Sequence, residues 1–245
     1  MRLPGSEKVI VGYDLGNKYA QISCYVTGSE EEIRTLSSVA GSSVYTIPLA
    51  LSKRQGVNQW FYGSEAIRYA GEEEGILVEN LLKLARDGEP VQIDGAPIDP
   101  VALLTLFLKR SLGLLSQVTN TERIGALMIT CEELDHRMLE VLTAATEGLH
   151  LKTDQICFQS HVESFYYYNL YQPEELWRHK TILCEYGDAS IRTYCMECNR
   201  HTTPVVAYME EREFPFPVPE SDEKMQEIAK KLCGKSDDIF GISDR

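Results

Sequence analysis

Two stretches decide how this chain is read: VIVGYDLGNKYAQISCYV (residues 9–26) and TILCEYGDASIRTYCM (residues 181–196). Each opens with a short apolar run, closes it near a carboxylate and a glycine, and returns as an alternating stretch. In the first, KVIVGY runs into Asp14-Leu15-Gly16-Asn17. Ala20, Ile22, Cys24 and Val26 then alternate with Gln21, Ser23 and Tyr25. A run of strand formers, a turn cluster and a period-two return together predict an antiparallel hairpin. In the second, the run ends at Glu185, Gly187 and Asp188, and Ile191, Thr193 and Cys195 alternate with Arg192, Tyr194 and Met196. Residues 33–39 and 203–209 supply a third strand to each. A unit of strand, glycine turn with carboxylate, strand and strand therefore occurs twice, about 170 residues apart.

The residues between the two copies alternate strand and helix. Ser64 caps a helix over 65–70. Gly75 and Gly88 bracket a second amphipathic helix with Ile76, Leu77, Asn80, Leu81 and Leu84 on one side. Asp99-Pro100 is a helix start, since Asp caps and Pro suits the first helical position. The strongly apolar helix 101–117 follows. RIGALMIT (residues 123–130) is a near-continuous apolar strand of the kind covered on both faces. A helix over 132–147, a strand over 153–158 and an aromatic-rich helix over 159–171 complete the series. Most rings of that last helix are expected to pack, with one or two exposed. Strands separated by helices imply parallel crossovers, so the fold class is α/β with a mixed sheet. After the second copy come Pro215, Pro217 and Pro219 as a stiff spacer and an amphipathic helix over 222–233.

Composition narrows the function. The chain has 245 residues, 43% hydrophobic and 25% charged, enough for a sizeable core. A formal charge of −13 argues against a dedicated nucleic-acid binder, because phosphates repel it. The best apolar run (residues 101–108) is too short for a membrane span, and the opening MRLPGSEKVIVGYD has no signal-peptide apolar region. A cytoplasmic protein that binds neither membrane nor nucleic acid is expected. The seven cysteines are scattered and read as reduced core thiols. Cys195-x-x-Cys198 with His201 has metal-like spacing, but a structural zinc wants four ligands and no second pair exists, so no zinc is expected. Glu30–Glu32 and Glu72–Glu74 read as solvated acidic turns.

The chemistry, if any, sits in the two turns. Successive backbone N–H groups of a glycine turn can converge on an anion. A carboxylate at the strand end, Asp14 or Glu185, can hold magnesium through waters, since that ion keeps its hydration. The bland alternative is that each turn is simply a hairpin, for which Asp and Gly are the ordinary residues.

The layout resembles the actin, hexokinase and heat-shock-chaperone ATPase superfamily, whose ribonuclease-H-like lobes each open with a three-stranded meander. VGYDLGNKYAQIS resembles its first phosphate loop and CEYGDASIRTYCM its second. Residues 99–170 resemble the chaperone branch. The resemblance implies a first lobe at 1–175 and the beginning of a second at 176–245. It also implies binding of Mg-ATP. Asp14 matches the metal-side aspartate, and Gly16, Asn17 and Lys18 fall on the first phosphate loop. Lys18 can lend a charge to the phosphates or stay solvated. Glu185 stands where the family has Asp, one methylene longer. Gly187, Asp188, Ala189 and Ser190 replace a more glycine-rich loop, and the side chains of Ala189 and Ser190 crowd a phosphate. Gln159 is the nearest match to the water-positioning residue, with Ser160 and Glu163 beside it. A glutamine can orient a water but cannot take its proton. Asp14, Gln159 and Glu185 are thus the catalytic candidates. Lys83 loosely matches a chaperone lysine, but its leucine neighbours suit a snorkelling surface lysine.

Length departs from the pattern. After the third strand of the second copy about 35 residues remain, with no counterpart of the adenosine-binding loop. A missing C-terminal half or a protein partner is therefore expected to complete the second lobe. The readings are a weak or incomplete Mg-nucleotide binder, a degenerate scaffold that keeps the fold without catalysis, and a small-molecule kinase. The last needs a catalytic Asp in the first lobe, for which only Asp94 and Asp99 offer themselves.

Overall fold

The computed structural model describes residues 8–28, 32–72, 75–118, 123–173, 180–186, 190–198 and 206–215. The chain divides into two compact units, Met1–Glu174 and Glu175–Arg245.

Unit 1 opens as the alternation demands. β1 (Val9–Leu15) and β2 (Tyr19–Val26) pair antiparallel, with Asp14 opposite Gln21 and Gly12 opposite Ser23. β3 (Arg34–Thr35) and β4 (Ile47–Pro48) add to β2, so the third strand is much shorter than the apolar stretch 33–39 suggests. β5 (Leu51–Arg54) and β6 (Trp60–Tyr62) form a hairpin that leads into α1 (Gly63–Glu72).

The stretch 75–88 corrects the sequence reading. It holds a strand, β7 (Gly75–Val78), and then a short helix, α2 (Leu81–Asp87). Ile76 and Leu77 pair with Lys53 and Ser52 of β5, which a helix would forbid. Asn80 sits at φ 55° between the two, a left-handed conformation that asparagine tolerates and that breaks the segment in two. Gly88 closes α2 at φ 79°, its N–H donating to the Leu84 carbonyl.

Next comes a hairpin of β8 (Val91–Ile93) and β9 (Ala96–Ile98) around Asp94-Gly95. Both turn residues have positive φ (52° and 74°), the geometry for which Asp-Gly is favoured. Asp94 pairs with Lys53, tying this hairpin to β5.

α3 (Pro100–Leu112) begins at the expected cap, the Asp99 side chain accepting from Val101 N at 2.9 Å. It ends in a 3-10 turn over Gly113–Gln117. β10 (Ile124–Cys131) then lies parallel to β1, and α4 (His136–Glu147) follows once Asp135 has capped it. β11 (Ile156–Ser160) lies parallel to β10, and α5 (His161–Leu170) starts in a capping box of Ser160 and Glu163. The main sheet reads β11-β10-β1-β2-β3, parallel on one side of β1 and antiparallel on the other.

The core is a single layer boundary. Val9, Val11, Tyr13 and Leu15 of β1 point inward with Ile22 of β2 and Leu127 and Ile129 of β10. Leu103, Leu104, Phe107 and Leu108 of α3 and Met138, Val141 and Leu142 of α4 cover them. From Leu127 on, β10 alternates buried with half-buried residues, so it is fully covered on one face and partly on the other, less than its apolar run suggests. The alternation sends Gly12 and Asp14 to the face opposite the core. Tyr13 lies wholly inside. Its hydroxyl donates to Ser111 Oγ at 2.7 Å, since Ser111 itself donates to the carbonyls of Phe107 and Leu108. α3 and α4 approach closely where α4 ends. A Cβ at Gly148 would come 2.5 Å from Thr105 Cγ2. Thr105 cannot swing aside cheaply, because its hydroxyl bonds to both Val101 O and Ala145 O. Gly148→Ala is therefore expected to cost about 1–3 kcal/mol of overpacking. Urea unfolding measures this, and a loss below half of it would show that the helices separate freely.

α5 corrects a second expectation. Tyr167, Tyr168 and Tyr171 are all exposed, Tyr171 at 88%, and Tyr166 and Tyr167 lie with ring centroids 4.4 Å apart. The helix packs on β11 and β10 at the end of the sheet, which leaves it little surface to cover its rings.

Unit 2, in its described residues, is a three-stranded antiparallel sheet: β12 (Lys180–Tyr186), β13 (Ser190–Cys198) and β14 (Val206–Pro215). Glu185 stands opposite Arg192 and Tyr186 opposite Ile191, so the second hairpin forms as the alternation predicts. β14 runs on to Pro215, beyond the 203–209 expected. Residues 216–245, which include the predicted 222–233 helix, lie outside the described residues, as do Gly187, Asp188, Ala189 and His201.

Candidate functional site

The carboxyl ends of the parallel strands β1, β10 and β11 meet in register. Asp14 stands beside Thr130, and Thr130 beside Gln159. Ligands of open α/β sheets bind outside such strand ends.

Asp14 is the centre of this end. Its side chain is about half exposed (54%), and Oδ1 accepts from His161 Nε2–H at 2.8 Å and from Thr130 Oγ1 at 3.3 Å. His161 and Thr130 are not among the residues the sequence singles out. His161 is the first residue of α5, and the Ser160–Glu163 capping box that orients it is a recognisable signal. Its contact with Asp14 spans 147 positions and has no sequence signature.

The turn after Asp14 is built for its own sake. Gly16 N donates to Tyr19 O at 2.9 Å, and a Cβ at Gly16 would come 2.9 Å from that same carbonyl oxygen. The hairpin alone therefore accounts for the glycine. Asn17 Nδ2 donates to Glu132 Oε2 at 2.8 Å, which anchors the turn to the end of β10. Lys18 lines a cleft of about 260 Å³ with Asn17, Tyr19, Pro48, Glu79 and Asn80, and its carbonyl accepts from Leu49 N.

The field here is negative. Glu132, Glu133 and Asp135 follow β10, and Arg86 of α2 reaches both Glu133 and Asp135. Buried Cys131 reports the sum: desolvation first, then the charges of Asp14, Asp135 and Glu133, push its thiol up to about 12. A neutral thiol is a poor nucleophile. At pH 8 iodoacetamide should label the exposed Cys157 and Cys184 and leave Cys131 unmodified in the folded protein. Peptide mass mapping reads this, and early labelling of Cys131 would overturn the burial and the field.

Gln159 lies in the last part of β11, two residues before α5, whereas the sequence predicts a helix from 159. It accepts from Ser164 Oγ at 3.3 Å. Lys83 is exposed on α2. In unit 2, Glu185 accepts from Tyr194 OH at 3.4 Å. Burial, then the charges of Glu185 and Glu211, push the Tyr194 hydroxyl up to about 12. Ser190 Oγ is committed to Glu213 Oε1 at 2.6 Å. Cys195 and Cys198 both lie on β13. Among the described residues no group of three or more His, Cys, Asp or Glu side chains is gathered as a metal site. None of the described helices is long and apolar enough to cross a membrane.

The comparison with known families decides the affiliation. The C-terminal model of a family of unknown function, DUF5716, matches residues 32–237. The chain belongs to this family. The match takes in most of unit 1 and the strands of unit 2, while β1, Asp14 and the Gly16 turn lie before it. No curated protein matches the chain.

Proposed function

We propose that unit 1 is a ribonuclease-H-like lobe of the actin-type ATPase fold and binds the Mg-coordinated phosphate tail of a nucleotide at Asp14. The observation that carries this is the placing of a carboxylate at the end of the central strand, beside a hairpin turn, in a sheet ordered β11-β10-β1-β2-β3. A three-stranded meander joined to parallel helix-strand units is the order that the superfamily resemblance implies. The donor set fits magnesium, which takes one or two carboxylates and keeps its waters. Asp14 is open to solvent, and Glu132 stands across the turn on Asn17. The metal, when bound, supplies the positive charge that lets phosphates approach so acidic a strand end. Thr130 and His161 orient the Asp14 carboxylate, and Lys18 adds a cation at the turn.

A second reading, a scaffold that keeps the fold and has lost the chemistry, is favoured by specific bonds. The Asn17 amide is bound to Glu132, the Gly16 N–H is spent inside the hairpin, and Ser190 is bound to Glu213. These groups would have to exchange partners to meet a phosphate. Weak binding with slow or absent turnover is the outcome that reconciles both. Gln159 lacks the basicity to take a proton from water.

A thermal shift assay separates the readings. MgATP at 100 times its Kd stabilises the protein by about 2.7 kcal/mol, a rise of roughly 5–10 °C for a domain of this size. No shift with ATP, ADP or GTP at millimolar concentration in the presence of Mg²⁺ would leave the scaffold reading standing.

A further inference from the structure

At the other end of β10, six residues and about 20 Å of strand from Thr130, unit 1 has a second concavity that the phosphate reading does not use. It is lined by Lys109 and Leu112 of α3, Ile124 at the start of β10, and Leu149, His150, Leu151 and Gln155 from the connection between α4 and β11. Its volume is about 480 Å³, in the range of small-molecule sites.

The lining divides cleanly by chemistry. Leu112, Ile124, Leu149 and Leu151 form an apolar wall. Gln155 is a fixed strut: Nε2 donates to Ile124 O at 2.5 Å and Oε1 accepts from Lys152 N at 3.0 Å. That leaves Lys109 and His150 as the remaining polar side chains among the described lining residues. Among the described lining residues there is no carboxylate, in a chain with 37 acidic against 24 basic side chains. The charged group among them is thus a cation, Lys109. His150 is moreover held at φ 59°, a left-handed conformation uncommon outside glycine, just after α4 ends.

We propose that this cleft binds a small amphipathic anion, a medium-chain carboxylate, with its head at Lys109 and His150 and its chain along Leu112, Ile124, Leu149 and Leu151. A neutral apolar ligand would gain nothing from Lys109, and an ammonium ligand would be repelled by it. A phosphate or nucleotide would waste the apolar wall. The proposal is independent of nucleotide binding at Asp14.

The test is a ¹⁵N–¹H NMR titration of the full chain with octanoate, with octanol and octylammonium alongside. Saturable shifts are expected at the amides of Leu112, Ile124, Leu149, His150 and Leu151, with none at Asp14 or Gly16. Lys109→Glu replaces attraction by repulsion and should weaken octanoate about tenfold, the scale of reversing one charge at a partly exposed pair. His150→Gly removes the ring at a position where glycine is at ease, so the fold is kept while affinity falls several-fold. No saturation with octanoate up to about 10 mM, weaker than any useful affinity, would overturn the proposal. So would octanol binding as well as octanoate, or shifts unchanged in Lys109→Glu.

Discussion

In Asp14→Asn, stabilisation by ATP is expected to become the same with and without Mg²⁺. On the proposed reading the wild-type difference would amount to as much as about 2.7 kcal/mol at 100 times Kd. The substitution is nearly isosteric. The amide oxygen of the new side chain would still accept from His161 and Thr130, which now hold Asp14 at 2.8 and 3.3 Å. The fold should therefore survive, and the melting temperature of the free protein should change little. What is lost is the negative charge that, on the proposed reading, would balance the metal. An unchanged Mg²⁺ dependence would show that the ion, if bound, is held elsewhere, and Glu132 across the turn would be the next residue to test.

The second large effect is on stability. Phe107→Ala is expected to lose about 3–5 kcal/mol, the range for truncating a fully buried aromatic. Phe107 is completely inside the core cluster, and its ring meets Tyr62 edge-on with centroids 6.3 Å apart. The same turn of α3 carries the carbonyl that accepts from Ser111, so the site has little freedom to collapse around a cavity. Urea unfolding by far-ultraviolet circular dichroism measures the change. A loss under about 1.5 kcal/mol, typical of a half-buried side chain, would mean that α3 is not docked as described.

Much of this architecture is legible in the residues. β1 follows from a short apolar run closed by Asp14-Leu15-Gly16 and β2 from the alternation that returns, and Asp99-Pro100 starts α3 where capping chemistry puts it. β10 and β11 follow from apolar runs between helices. The failures have identifiable causes. Ile76, Leu77, Asn80, Leu81 and Leu84 satisfy a helical period, but Ile76 and Leu77 are claimed by β5, more than twenty residues earlier. Tertiary pairing overrides a local period whenever a partner strand is waiting. The Asp94-Gly95 hairpin is the opposite case, a local signal that the sequence reading does not use. At the candidate site, Asp14 and the turn are readable from chain order. His161, Thr130 and Glu132 come to it only through parallel crossovers, and nothing local announces them.

The position of β1 carries one consequence for how the protein is made. β1 is central, yet its neighbour on one side follows at once while its neighbour on the other begins at Ile124. On a ribosome, residues 9–26 emerge as a hairpin with one flank bare, and the matching strand arrives more than a hundred residues later. At ordinary elongation rates that gap lasts roughly 5–20 s. During it the row of amide and carbonyl groups along β1 has no native mate. Nascent-chain chaperones would meet the molecule in that interval, and stalled or truncated translation products ending before Cys131 should be the insoluble ones.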